Sequence, residues 1–384
     1  MQLTVAGRDP VRGVPLEAEI EGERIAGVRD LPSSAVPADL WLLPGLVDIQ
    51  VNGYGGHDLN GPEVDIGVVA ALVHSLQARG VTRFCPTICT QSRERMEAAL
   101  RAVAAACRAD PRIARAVAGI HLEGPYISPE DGPRGAHPRQ HVRPPDWAEF
   151  ETLQQAAEGR VRLVTLAPEW PGAEAFIRRL VDSAVIAAIG HTAASPEVIR
   201  QAIRDGARLS THLGNGSHAM LPRHPNYIWE QLAADELWAS IIVDGHHLPP
   251  AVVKTFVRAK GIQRTILISD AVALAGMAPG DYDWMGMRVT LSPEGRISLS
   301  GTPYLAGSAL DLASALPRVM AFAKLTLADA VTMASANPAR LLGVEAGTLA
   351  SGGPADLVLM RIGDSGQVDI VQTIAGGQVV WEAT

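Results

Sequence analysis

The sequence predicts an α/β fold in which eight parallel strands alternate with helices in a barrel, flanked by a small β domain. After residue 40, eight short apolar runs rich in β-branched residues alternate with longer amphipathic stretches, which is typical of strand–helix units. The two ends of the chain show hairpin-like alternation instead. The 384 residues suffice for one large domain and a small one. A doubly wound open sheet is the competing arrangement, because counting strands does not separate the two.

The eight predicted strands all lie in the central part of the chain. In order they are GLVDIQV, TRFCPTI, AVAGIHLEG, VRLVTLAPE, VIAAIGH, ARLSTH, ASIIVDG and TILISDA. Helical patterns such as SRERMEAALRAVAAACRAD and SPEVIRQAIRDGA lie between them. The second of these begins with Ser195, a good N-cap, and Pro196, a good first helical residue. We assign residues 44–345 to the barrel.

The terminal segments predict antiparallel pairing. LEAEIEGERIAGV near the start, and ADLVLM and GQVVWEA near the end, alternate around glycine turns. Because these pieces flank the barrel, we expect residues 1–43 and 346–384 to form one small β-sandwich domain. A further hairpin, MRVTLSPEGRISLS, is expected late in the barrel, and the helical segment LTLADAVTMASANPARLLG follows it.

Composition excludes several classes of function. The net charge is −8 and no run of Lys or Arg exceeds two residues, which argues against nucleic-acid or anionic-membrane partners. The sequence has neither a signal-peptide pattern nor an uncharged apolar stretch of ~18 residues. Cys85, Cys89 and Cys107 are an odd set, which argues against a disulfide framework. We therefore expect a soluble cytoplasmic protein.

Four predicted strands end in side chains suited to metal binding or proton transfer: Glu123, His191, His212 and Asp270. Any one of them alone would more often be a hydrogen-bonded structural residue. In a barrel, however, the C-terminal strand ends surround one mouth, where active sites lie. Residues far apart in the sequence would therefore converge there, and four such strand ends are hard to explain by chance.

One glutamate and two histidines form a suitable three-ligand set for catalytic zinc, with a fourth position left for water. Iron or another divalent ion accepts the same ligands, so we expect one divalent ion per subunit, with zinc favoured. Such an ion can bring the pKa of bound water to ~7. Asp270 is then the candidate general base that takes the proton of the water and returns it to a leaving group. The predicted reaction is metal-assisted hydrolysis of an amide-like bond.

Six motifs occur in a fixed order over residues 44–271: PGLVDIQVNGYGG, GIHLEGPYIS, GHTAA, THLGN, DGHH and LISDA. Together they resemble the amidohydrolase superfamily, and within it the N-acetylglucosamine-6-phosphate deacetylases. The segments NPARLLG and GTLASGGPADLVL extend the resemblance over nearly the whole chain. It implies a TIM-like barrel and hydrolysis of N-acetyl-D-glucosamine 6-phosphate to glucosamine 6-phosphate and acetate.

The resemblance also implies roles for single residues. Glu123, His191 and His212 match the metal ligands of the family, and Asp270 matches its catalytic acid/base. His137, in RGAHP, matches a histidine that polarises the amide carbonyl, a role that physically suits an oxyanion donor.

Three further positions follow from the same resemblance. His247, in DGHH, matches a substrate-binding histidine. Gln50 and Asn52 occupy the place where many amidohydrolases have His-x-His and bind two metals. Amide side chains are poor zinc ligands, so we interpret these two as second-shell or vestigial metal positions and expect one metal.

The loop after His212 departs from the family pattern, which commonly reads Thr-His-Leu-x-Asn-Ala-Met followed by Arg-x-Pro-Gly. Here Asn215 keeps its place, but Gly216 and Ser217 replace Ala-Met. Arg223 keeps its spacing. In the family this loop helps to hold the sugar phosphate, with the arginine supplied by the neighbouring subunit of a homodimer. Arg223 could equally be a solvated loop residue.

Two alternatives follow. The altered loop favours an amidohydrolase that deacylates a different N-acyl amino sugar, unphosphorylated or of another epimer, or a related N-acyl compound. A non-catalytic scaffold that has lost its metal site would lack ligands or the base, yet all four positions are filled. In either enzymatic reading the partner is a small-molecule amino sugar.

Overall fold

The computed structural model describes residues 2–284, 287–302 and 304–384, and it contains a closed parallel barrel. Its eight strands are hydrogen-bonded in chain order and comprise Leu46–Val51, Val81–Cys89, Ile120–Glu123, Val161–Leu166, Ile186–Ile189, Leu209–Ser210, Trp238–Ile241 and Thr265–Leu267. The first and last strands meet where the Asn52 amide donates to the Ala271 carbonyl at 2.8 Å and the Asp270 amide donates to the Gln50 carbonyl at 3.1 Å. This closure confirms the barrel and rules out the open sheet.

Helices follow most of the strands and cover the outside of the barrel. Their bounds are Ile66–Gln77, Arg93–Ala109, Pro111–Ala116, Trp147–Ala156, Ala173–Asp182, Pro196–Arg204, Tyr227–Ala233, Pro250–Lys260, Leu312–Ala323, Leu327–Val331 and Asn337–Leu342. Two short 3-10 turns, Arg139–His141 and Ile262–Arg264, and a π-helical turn, Thr332–Ala336, complete the set. The hydroxyl of Ser195 accepts from the Val198 amide, so this predicted N-cap is confirmed. None of the helices in the described ranges is long and apolar enough to cross a membrane.

Both ends of the chain contribute to one seven-stranded sheet. Its strands are Gln2–Arg8, Pro15–Glu21, Arg24–Asp30, Leu40–Pro44, Leu357–Ile362, Val368–Ala375 and Gln378–Glu382. The two halves join through antiparallel pairing of Leu40–Pro44 with Leu357–Ile362. Apolar side chains of both halves share one buried cluster, so the small β domain built from both termini is confirmed. Its limits at residues 43 and 346 stay a prediction.

A four-stranded antiparallel sheet, which we call the inserted sheet, lies between the last barrel strand and the helix Leu312–Ala323. It consists of Gly280–Trp284, Met287–Leu291, Arg296–Leu299 and Leu305–Ser308. The predicted hairpin forms its two central strands, and two further strands flank that hairpin. Ser308 pairs with Ala271 just beyond the last barrel strand, which places this sheet at the mouth of the barrel.

Candidate active site

Three buried side chains from three strand ends converge at the barrel mouth. Glu123 Oε1 lies 2.9 Å from His212 Nε2 and 3.3 Å from His191 Nε2, and the two imidazole nitrogens are 3.0 Å apart. All three residues are buried, and the ligand atoms lie within 4.8 Å of one another. One carboxylate oxygen and two imidazole nitrogens suit a divalent ion such as zinc, so the donor set fits a metal.

The backbone is strained where these side chains leave their strands. His191, His212 and Asp270 have φ angles of 50°, 28° and 48°. Positive φ is uncommon for residues other than glycine and costs free energy, so it persists where the surrounding structure enforces it. Half of the six described non-glycine residues with positive φ are thus predicted site residues, which is the distribution expected of a functional site.

A hydrogen bond to a backbone carbonyl orients the imidazole of His191. His191 Nδ1 lies 2.8 Å from the Pro133 carbonyl, to which it donates. This bond fixes the tautomer, so the lone pair of His191 is on Nε2 and points at Glu123. His212 Nδ1 is buried and has no hydrogen-bond partner among the described residues, so packing holds that ring.

Asp270 lies beside the cluster and is held by two amide side chains. Its Oδ1 accepts from Asn52 Nδ2 at 2.7 Å and from Gln50 Nε2 at 3.1 Å. Gln50 Nε2 also donates to Glu123 Oε1 at 2.8 Å. The two residues predicted as vestigial metal positions therefore present N–H donors that orient the carboxylates.

The two carboxyl groups have opposite proton affinities. Burial, reinforced by the negative charge of Glu123, raises the pKa of Asp270 to about 8. Burial alone would also raise the pKa of Glu123, but the adjoining imidazoles of His191 and His212 outweigh it and hold that pKa well below its usual value. One carboxylate is thus kept ionised as a ligand, while the other can hold and release a proton.

His137 packs against the cluster from the loop after the third barrel strand. Its ring centroid lies 4.4 Å from that of His191, and its Nδ1 is 2.9 Å from the Thr90 hydroxyl oxygen. Burial, with the neighbouring His191, lowers the pKa of His137 to about 3, so the ring is neutral. The Thr90 hydroxyl can also donate to the Glu123 carbonyl, at the longer distance of 3.4 Å. When it donates to His137 Nδ1 instead, the ring hydrogen is on Nε2, which can then donate to a ligand.

A cavity of about 370 Å³ lies over these residues, and His247 is part of its wall. His247 Nδ1 is 2.7 Å from Asp244 Oδ2, and the amides of His246 and His247 donate to Asp244 Oδ1 at 2.8 Å each. Burial would raise the pKa of Asp244, but the bonds from His247 outweigh it and lower the pKa to about 2. His246 instead contacts the Glu294 carbonyl.

The loop after His212 also lines the cavity, through Asn215 and Gly216. Gly216 has a φ of 54°, and a Cβ placed there would lie 2.6 Å from His191 Nδ1, so a side chain at this position would require the loop to move. Arg223 is exposed and is not among the described residues that line the cavity. Its role as a phosphate ligand of a neighbouring subunit stays a prediction.

Three further residues at the site, Cys89, Thr90 and Trp284, were not predicted from the sequence. Cys89 and Thr90 directly end the second barrel strand, so the rule that located the other side chains would have found them had TRFCPTI been extended by two residues. The Cys89 thiol donates to Asn52 Oδ1 at 2.9 Å and lies 3.5 Å from Glu123 Oε2. Trp284, on the inserted sheet, also lines the cavity, and no pattern in the sequence indicates it.

Together, a closed (β/α)8 barrel, a buried carboxylate–imidazole cluster at its mouth and an adjacent acid of raised pKa define a hydrolase of the metal-dependent kind. A sequence profile of the amidohydrolase family matches residues 41–380. The chain belongs to the amidohydrolase family.

Individual relatives are similar along nearly the whole chain. The N-acetylglucosamine-6-phosphate deacetylase of Bacillus subtilis (strain 168) is 33% identical over 349 residues, which cover 90% of this chain and 86% of the relative. The N-acetylgalactosamine-6-phosphate deacetylase of Escherichia coli O157:H7 is 34% identical over 342 residues, covering 88% and 89%. A mutant N-acetyl-D-glucosamine-6-phosphate deacetylase of Mycobacterium smegmatis, solved in complex with N-acetyl-D-glucosamine-6-phosphate, is 31% identical, with a TM-score of 0.86 and 99% of each chain covered.

Proposed function

We propose that this protein is a metal-dependent deacetylase that hydrolyses N-acetyl-D-glucosamine 6-phosphate to glucosamine 6-phosphate and acetate. The observation that carries the proposal is the convergence of Glu123, His191, His212 and Asp270 in one buried mouth. The activities for which the relatives are named supply the substrate. Because one relative acts on the galactosamine epimer, deacylation of another N-acyl amino sugar is the second candidate.

In this proposal Glu123, His191 and His212 hold one divalent ion, with zinc favoured over iron. When bound, such an ion lowers the pKa of a water ligand and polarises an amide carbonyl. Gln50 and Asn52 support a single ion, because each turns its N–H group, and not its oxygen, toward a carboxylate.

Asp270 carries the proton transfers. Its carboxylate takes a proton from the attacking water, whose oxygen bonds to the acyl carbon. The protonated Asp270 then donates to the sugar nitrogen as the C–N bond breaks, so acetate and the amine leave and the carboxylate is restored. A pKa raised by burial suits both halves of this cycle, because the group must accept and release a proton near neutral pH.

His137 and the cavity loops bind and orient the substrate. His137 Nε2–H donates to the amide oxygen, on which negative charge develops. Asn215, Gly216 and His247 line the cavity, and we assign the sugar phosphate to them. Arg223 would complete the phosphate site from the partner subunit of a homodimer. Free thiols at all three cysteines support a reducing, cytoplasmic location.

Steady-state kinetics on metal-analysed protein test the proposal. We expect kcat/KM for N-acetyl-D-glucosamine 6-phosphate to exceed that for the unphosphorylated sugar by about 100-fold or more, because phosphate-binding groups are left unpaired by the free sugar. Chelation should abolish turnover, and one equivalent of zinc should restore it. Equal values for the two sugars would favour the second candidate, and a preference for the galactosamine epimer would reassign the substrate.

A further inference from the structure

The cavity has two sides relative to Glu123. Its Oε1 faces His191 and His212, whereas its Oε2 faces the Cys89 thiol at 3.5 Å. The ring of His137 and the backbone of Gly216 both pack against His191. The proposed phosphate loop therefore lies on the imidazole side of Glu123, and Cys89 lies on the other side. His137 contacts both His191 and Thr90, the residue after Cys89, and so lies between the two sides.

The structure of the substrate indicates which of its parts lies on each side of the cavity. In a 2-acylamino hexose 6-phosphate, the amide and the phosphate are on opposite sides of the ring, so the sugar extends from the amide toward the phosphate loop. The amide oxygen is directed toward His137. The third substituent of the acyl carbon then points away from the sugar and its phosphate, which leaves for it the space on the Cys89 side of Glu123.

A chain of hydrogen bonds connects Cys89 to Trp284 on the inserted sheet. The Cys89 amide donates to Asn60 Oδ1 at 2.7 Å, and the Asn60 amide donates to Asp58 Oδ1 at 2.8 Å. Trp284 Nε1 in turn donates to Asp58 Oδ2 at 2.8 Å. Cys89, Asn60 and Trp284 all line the cavity.

We propose that Cys89 and Trp284 form the acyl end of the cavity and that Trp284 limits the length of the acyl group that the enzyme removes. The inference rests on the proposed deacetylase function. Because the one polar atom of the indole is occupied by Asp58, the rest of the ring offers apolar surface to the cavity. A thiol and an indole make a small apolar pocket that fits a methyl group, and a longer chain would collide with the anchored ring.

The experiment compares N-acetyl, N-propionyl and N-butyryl glucosamine 6-phosphate as substrates of the metal-loaded protein. In Trp284→Ala we expect the butyryl-to-acetyl ratio of kcat/KM to rise by about 10-fold or more, because pocket methylenes change this constant by that order. Trp284→Phe, which keeps an apolar ring but loses the bond to Asp58, should give a smaller rise. Trp284→Phe also tests the proposal if Trp284→Ala does not fold.

Tyr304 provides the matched control, since it is an aromatic residue directly before the last strand of the inserted sheet and it also lines the cavity. Tyr304→Ala should leave the acyl-length ratio unchanged. An unchanged ratio in folded Trp284 variants, or an equal rise in the Tyr304 variant, would overturn the proposal. Wild-type protein that hydrolyses none of the three substrates would instead refute the deacetylase function itself, so the two failures are distinguishable.

Discussion

The two sides of the cavity are built in different ways. On the imidazole side, His191 and His212 lie directly after barrel strands, are buried and have a strained backbone. On the acyl side, Trp284 comes from the inserted sheet, packs against the apolar cluster of that sheet and donates a hydrogen bond to Asp58. The closed barrel therefore holds the proposed catalytic and metal-binding side chains. One wall of the cavity depends instead on the inserted sheet, which can vary without altering the barrel.

The strongest test of the barrel-borne chemistry is Asp270→Asn. We expect kcat to fall by about 10³-fold or more, because the amide cannot take the proton of the water. Metal content should stay near that of the wild type, since Asp270 is not one of the three clustered ligands. Turnover close to wild type would show that another group is the base.

His137→Asn should have the next largest effect. Loss of an oxyanion donor typically lowers kcat by about 10²–10³-fold, and the KM for the phosphorylated sugar should change little. His141→Asn is the matched control, because His141 lies in a nearby 3-10 turn, outside the cavity wall among the described residues. Equal losses in both variants would mean that the loop, and not the imidazole, is responsible.

Asp244→Asn tests whether the imidazole side of the cavity also determines recognition of the sugar phosphate. Asp244 holds His247 Nδ1 and so orients the ring in the cavity wall, and its loss should raise the KM for the phosphorylated sugar about 10-fold with little change in kcat. The KM for the free sugar should not respond. A fall in kcat for both sugars would place Asp244 in a purely structural role.

The smallest effect is expected in the stability of metal-free protein. The folded-state pKa of Asp270, about 8, lies above its ordinary value of 3.8, so the folded state binds this proton more tightly than the unfolded chain does. Ionisation therefore opposes folding as the pH rises through that window. Asp270→Asn removes this penalty, and its melting temperature relative to wild type should increase between pH 5 and pH 8.5, on the order of a few degrees. A constant difference would contradict the raised pKa.

Much of the fold was predictable because parallel barrel strands form apolar runs bounded by helices, and all eight predicted strands are present. Because parallel barrel strands all end at one mouth, the sequence also predicted that Glu123, His191, His212 and Asp270 lie together there. The outer strands of the inserted sheet were missed because Gly280–Trp284 is mostly exposed and Leu305–Ser308 is short. Trp284 reaches the cavity only through tertiary placement of that sheet, and the role of Arg223 depends on a second subunit, so neither follows from local pattern.

The joining of the two chain ends has a consequence for the mouth of the barrel. Only Gly45 separates the strand Leu40–Pro44 from the first barrel strand, and its amide donates to the Asp356 carbonyl at 2.8 Å. A protein clipped just before Asp356 would lose that anchor together with the strand that pairs with Leu40–Pro44. The damage would pass along Leu46–Val51 to Gln50, so proteolysis at the far end of the sequence would loosen the amide that holds the Asp270 carboxylate.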